Sequence, residues 1–155
     1  MTKTAAKAHF LSALRELVEC YQAFERYSSA HIQTLELTAP QFDVIATLGN
    51  TKGMTFRELG ERTLITKGTL TGVVDRLEAK GLVCRESCPR DGRSTIVSLT
   101  GAGEKIFDRA FPAHIGHLRE AFGLVCDKEL SVLEQGLNTL KKALSAATAT
   151  QKEKH

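Results

Sequence analysis

Two clusters of side chains in the middle of the chain have the types and spacing of a nucleic-acid contact. Thr66, Lys67, Gly68, Thr69, Thr71, Gly72 and Arg76 fall within eleven residues. Threonine hydroxyls can donate to phosphates, and their methyls can touch a thymine methyl. Gly68 and Gly72 would let the backbone approach phosphates closely. Glycine costs about 1 kcal/mol relative to alanine inside a helix, so two on one face need a reason. The plain alternative is the solvent face of a core helix. The second cluster is Arg90-Asp91-Gly92-Arg93. A narrow minor groove concentrates negative potential and attracts an inserted arginine. Asp91 is expected to hold a neighbouring guanidinium in a fixed pose. Alone, this tetrad would be an ordinary charged turn. Thr55 is a further contact candidate, at the start of the preceding short helix.

A different chemistry is open to the histidines. Ser28 and His31 interrupt an apolar stripe at positions 10, 14, 17, 21, 24, 28, 31 and 35. His114 and His117 share a mixed stripe with Phe107, beside the apolar stripe Phe111, Ile115, Leu118, Phe122 and Val125. Together with Phe42, these residues could line a pocket for a small aromatic or anionic ligand. Zinc is the rival ligand, and satisfied packing histidines are the plain alternative. No metal site and no cofactor is expected. Cys20, Cys84, Cys88 and Cys126 are scattered. In a strand, Cys84 and Cys88 lie roughly 13 Å apart, too far for a disulfide. No phosphate loop, metalloprotease helix or nucleophile elbow is present, so an enzyme is not expected.

The elements that must hold these residues follow from periodicity and caps. A long first helix carries the 10–35 stripe. Thr38 with Gln41, and Thr55 with Glu58, form capping boxes. Leu37 and Phe42, Met54 and Leu59, and Ile65 and Leu70 are candidate hydrophobic staples around three successive N-caps. The second helix ends at Gly49–Gly53, and the third, short one at about Arg62. Thr66 is expected to cap a fourth, with Leu70, Val73, Val74 and Leu77 on one buried face. Lys80-Gly81 closes it. Residues 82–88 and 94–99 read as a β-hairpin around Pro89–Arg93, the only sheet-like segment of any size. Thr100 caps a helix over 101–122, with a kink expected at Pro112. A last helix starts near Asp127, with a seam of Leu130, Leu133, Leu137, Leu140 and Leu144.

Two short helices, a tight turn, a glycine stop and a hairpin describe a winged helix-turn-helix. The fold class is mainly α with a small β-hairpin wing, and with long N- and C-terminal dimerisation helices. Residues 1–36 and 101–147 form the helical dimerisation region. Residues 37–100 form the DNA-binding lobe, and 148–155 a frayed tail. The 42% hydrophobic and 25% charged residues argue against disorder. Net charge is +3, too small to decide on a polyanionic partner, though 55–95 hold eight Lys/Arg against six Asp/Glu. No apolar run is long enough for a bilayer, and the N-terminus has no signal-peptide core. The chain reads as cytoplasmic.

The stretches Leu37-Thr-Ala-Pro-Gln-Phe42, Glu58-Leu-Gly-Glu-Arg62 and Thr66 through Val83 resemble the MarR family, the multiple antibiotic resistance regulators. So do the wing Asp91-Gly-Arg-Ser94 and the segment Ser98-Leu-Thr-Gly-Ala-Gly103. The resemblance covers residues 10 to 145. It implies an obligate homodimer with intertwined terminal helices and two lobes on a palindromic site in double-stranded DNA. It also implies a repressor released by a small aromatic acid bound between the dimerisation helices and the lobe. Two features depart from the family. The turn carries Leu64 where many helix-turn-helices have glycine. Cys20 lies well inside the first helix, whereas peroxide-sensing members carry a reactive cysteine near its start. A redox-sensing or zinc-responsive regulator of the same fold, or a helical protein-interaction module, are the alternatives.

Overall fold

The computed structural model describes residues 3–64 and 67–153. The Thr66 cap and the Ile65–Leu70 staple fall outside those residues. The order is α1 (Lys3–Thr34), α2 (Ala39–Leu48), β1 (Met54–Thr55), α3 (Phe56–Arg62), α4 (Lys67–Ala79), β2 (Val83–Ser87), β3 (Thr95–Leu99), α5 (Gly101–Phe122) and α6 (Asp127–Lys152). The chain divides into two compact units, Met1–Gly116 and His117–His155.

The local signals set the starts of α2 and α3. Thr38 Oγ1 accepts the Gln41 N–H at 3.3 Å, and Gln41 Oε1 accepts the Thr38 N–H at 3.1 Å. Thr55 and Glu58 repeat the exchange at 3.2 and 2.8 Å. Each box satisfies two N–H groups that a helix start leaves without intrahelical partners. Gly81 follows α4 with a φ of 71°, the left-handed conformation that a glycine stop supplies.

The first unit has a continuous core. Val44, Ile45 and Leu48 of α2 pack with Leu59 of α3 and with Leu70, Val73, Val74 and Leu77 of α4. Ile32 from α1, Val83 and Val97 from the strands, and Phe107 and Ala110 from α5 complete it. The sheet has three antiparallel strands in the order β1-β3-β2, with Met54 opposite Val97 and Val83 opposite Leu99. The hairpin is therefore not the whole sheet. Met54 and Thr55, read as staple and cap, also form a third strand.

The 10–35 stripe, in α1 and just beyond it, splits into two parts. Phe10, Leu14, Tyr21 and Phe24 are exposed, whereas Ser28, His31 and Leu35 pack within their own unit. In the second unit α6 buries none of its residues, and its seam stands open from Leu133 to Leu144. The helix runs on to Lys152, through the stretch that reads as a frayed tail. Alanine is the strongest helix former, and residues 143–149 contain four.

Candidate nucleic-acid interface

The lobe is built so that α4 shows one face to the core and the other to solvent. Leu70, Val73, Val74 and Leu77 are buried, while Thr69, Thr71 and Arg76 are exposed and Gly72 is half-buried. A Cβ built at Gly72 would meet only the end of the Arg76 side chain, at 3.4 Å. Packing within the chain therefore does not demand glycine there. Lys67 and Gly68 form the first turn of α4. Asp75, on the outer face, is taken up inside the lobe. It pairs with Arg85 of β2, whose Nε also lies 3.4 Å from Glu78 Oε2. The Arg85 guanidinium sits 5.5 Å over the Phe56 ring, so one side chain ties β2 to α4 and α3.

At the wing tip Arg90, Asp91, Gly92 and Arg93 are all exposed. Asp91 does not act as expected. Its Oδ1 accepts the Arg93 backbone N–H at 3.0 Å, and its Oδ2 accepts the Ser94 hydroxyl at 3.1 Å. The carboxylate shapes the turn, a short-range Asx arrangement that aspartate makes readily. Among the described residues, no ion pair engages Arg90 or Arg93.

Thr55 caps α3, and its hydroxyl also bonds Glu58 Oε2 at 3.1 Å. The Thr55 N–H and hydroxyl, helped by Arg62, hold the Glu58 carboxyl below the ordinary glutamate range. Asp43 carries no signal of its role in the sequence. Its Oδ2 accepts the Leu64 N–H at 2.8 Å, which supplies a tether where the turn has no glycine. The bond joins residues 21 apart, and no local pattern marks it.

Four of the six ligand candidates meet. His114 is 2% exposed. Its Nε2 lies 3.1 Å from Ser28 Oγ, and its Nδ1 lies 2.9 Å from His31 Nδ1. The two imidazoles stack at 5.2 Å between centroids, and the Phe42 ring meets His114 edge-on at 4.7 Å. Two facing ring nitrogens form a hydrogen bond only when one carries a proton and the other does not. Phe107 instead stacks on Phe111 at 5.1 Å and fills the space a Gly49 side chain would need. His117 belongs to the second unit and is half-buried. Among the described residues, no group of three His, Cys, Asp or Glu is placed to hold a metal. Cys20, Cys84, Cys88 and Cys126 are free thiols.

A helix with one buried and one exposed face, followed by an arginine-tipped hairpin, is the arrangement of a winged helix-turn-helix DNA-binding protein. The MarR-family sequence profile matches residues 35–94. The organic hydroperoxide resistance transcriptional regulator of Bacillus subtilis is 30% identical over 115 residues, 73% of this chain and 76% of that protein. A mutant MarR from E. coli complexed with operator DNA is similar with a TM-score of 0.76 and 26% identity. It covers 85% of this chain and 95% of that one. Bordetella bronchiseptica BpsR, whose DNA binding is regulated by 6-hydroxynicotinic acid, is similar with a TM-score of 0.74 and 25% identity, over 82% and 91%. The chain belongs to the MarR family and is a DNA-binding transcriptional regulator. No described helix is long and apolar enough to cross a membrane.

Proposed function

We propose that the chain is a cytoplasmic homodimeric repressor that binds a palindromic DNA site and is released by a small aromatic acid. The stretch of α4 from Lys67 to Arg76 enters the major groove. Arg90 and Arg93 reach the adjacent minor groove. The observation that carries this reading is the outer face of α4, with Thr69, Thr71, Gly72 and Arg76 lying open opposite a fully buried face. The likeness to a MarR bound to operator DNA supports it. The apolar seams of α1 and α6 support the dimer, and two recognition helices suit half-sites one helical turn apart, about 34–36 Å.

The cluster of Ser28, His31, Phe42 and His114 supports the effector. It combines aromatic faces with two imidazoles, one of which is buried. A carboxylate there would stabilise an imidazolium. By favouring one lobe arrangement, the ligand would shift the population away from the DNA-binding state. BpsR, regulated by a small aromatic acid, supports that direction. A mobility shift across salt concentrations, with and without salicylate-like acids, tests both parts. The expected result is tight, salt-sensitive binding that the acid weakens. Salt-insensitive or absent DNA binding contradicts the reading of the lobe. Binding untouched by a broad panel of acids contradicts the effector.

A further inference from the structure

Asp43 lies on α2, outside the helix-turn-helix, yet it grips the turn. Its Oδ2 accepts the Leu64 N–H at 2.8 Å. Leu64 follows Thr63, the C-cap of α3, and comes three residues before the start of α4 at Lys67. Thr63 fixes the exit from α3, because its N–H and its hydroxyl both donate to the Leu59 carbonyl, at 2.9 and 2.7 Å. The Leu64 side chain is 92% exposed, so its packing does not set the direction of the next step. Its backbone N–H does have a fixed partner, and that partner sits on a well-anchored helix. Neighbouring Val44 and Ile45 are buried in the core, and the capping box at Thr38 holds the start of α2.

We infer that Asp43 is a positioning residue for DNA recognition: its carboxylate clamps the Leu64 N–H and sets the direction in which α4 leaves α3. This inference rests on the reading that α4 enters the groove. Small errors in helix direction move side chains at its outer face off the base edges while leaving the overall charge unchanged. The clamp therefore acts on discrimination between sequences more than on attraction to DNA.

Charge and geometry predict opposite signs here, which makes the inference testable. A carboxylate close to a DNA-contacting helix repels phosphates, so by charge alone its removal raises affinity. The clamp predicts a loss instead. The intact chain and its Asp43→Ala, Asp43→Asn and Asp43→Glu variants are compared on a duplex selected from a random pool by the wild type and on an unselected duplex. Melting temperature is followed in parallel. Asparagine keeps an acceptor for the same N–H, so Asp43→Asn should retain the wild-type preference. Asp43→Ala should lose about tenfold on the selected duplex and little on the other, a loss in the range of one hydrogen bond to a charged group. Should the alanine variant fail to fold, Asp43→Glu decides. It keeps the charge but displaces the carboxylate by one methylene, so the clamp predicts a reduced preference.

Equal losses on both duplexes together with a lowered melting temperature overturn the inference in favour of a merely structural role. Tighter binding of both duplexes by the alanine and asparagine variants overturns it in favour of plain charge. Thr71→Ala, run beside them, separates the two levels. If it shifts base preference while the Asp43 variants do not, only the clamp fails. If it too leaves preference unchanged, the docking of α4 fails and the clamp falls with it.

Discussion

The lobe and the helical arms use apolar residues in opposite ways. In the lobe every residue of the Leu70, Val73, Val74 and Leu77 stripe is buried within its own unit. From Phe10 to Phe24 in α1 and from Leu133 to Leu144 in α6, stripes of the same regularity stay largely open. Phe10 is 63% exposed and Leu144 57%. Within the second unit Phe122, Leu130, Leu133 and Leu137 line an open groove of about 770 Å³. The lobe therefore has what it needs to hold itself together, whereas the arms carry apolar surface that calls for a second surface. Their spacing of alternate threes and fours is that of a helix seam.

The largest expected effect comes from charging the arms. If the proposed dimer forms through these seams, Leu133→Asp combined with Leu137→Asp should give monomer or insoluble protein, read by light scattering. A well-folded native monomer at micromolar concentration would break the comparison. A finer test sets Leu77→Ala against Leu144→Ala. Loss of the buried leucine should cost about 2–5 kcal/mol in urea unfolding at any protein concentration. Loss of the seam leucine should cost less, by an amount that changes with protein concentration, because assembly is linked to folding.

Gly72→Ala should separate stability from binding. Helix propensity favours alanine by up to about 1 kcal/mol, and only the flexible end of Arg76 is near. The variant should melt higher and bind DNA more weakly. A variant that binds as tightly as the wild type would make Gly72 a bystander. The smallest effect concerns Glu58. Its carboxyl is held low by Thr55, so it binds a proton less readily folded than unfolded. Its stabilising contribution should be full above the unfolded glutamate range, about 4.3, and vanish as pH falls through the lower folded value. Glu58→Gln should therefore show a flatter acid limb in melting temperature against pH, and an unchanged limb would mean that the Glu58 charge contributes nothing.

The lobe was more legible in the sequence than the contacts that tune it, for a physical reason. Caps at Thr38 and Thr55 join residues three apart, so the residue types alone reveal them. The buried face of α4 follows from helical periodicity. By contrast, β1 is two residues long and exists because β3 pairs with it. The tether from Asp43 crosses 21 residues, and the contact between His31 and His114 crosses 83. The stripes put both histidines toward packed sides, but periodicity within a helix says nothing of which residue of another helix each one meets. Asp91 differs from expectation at short range, because its carboxylate takes the Arg93 backbone N–H and the Ser94 hydroxyl.

The central claim is that α4 and the wing contact DNA by different means. Affinity against salt, for a selected and a random duplex, measures it most directly on Lys67→Ala, Arg93→Ala and Thr71→Ala. Loss of Lys67 should weaken both duplexes alike and reduce the salt slope by roughly one unit. Loss of Arg93 should weaken binding most on A/T-rich flanks, where the minor groove is narrow. Loss of Thr71 should alter preference at one base pair, with about 1–3 kcal/mol at stake. Three folded, dimeric variants with wild-type affinity, preference and slope would contradict the account.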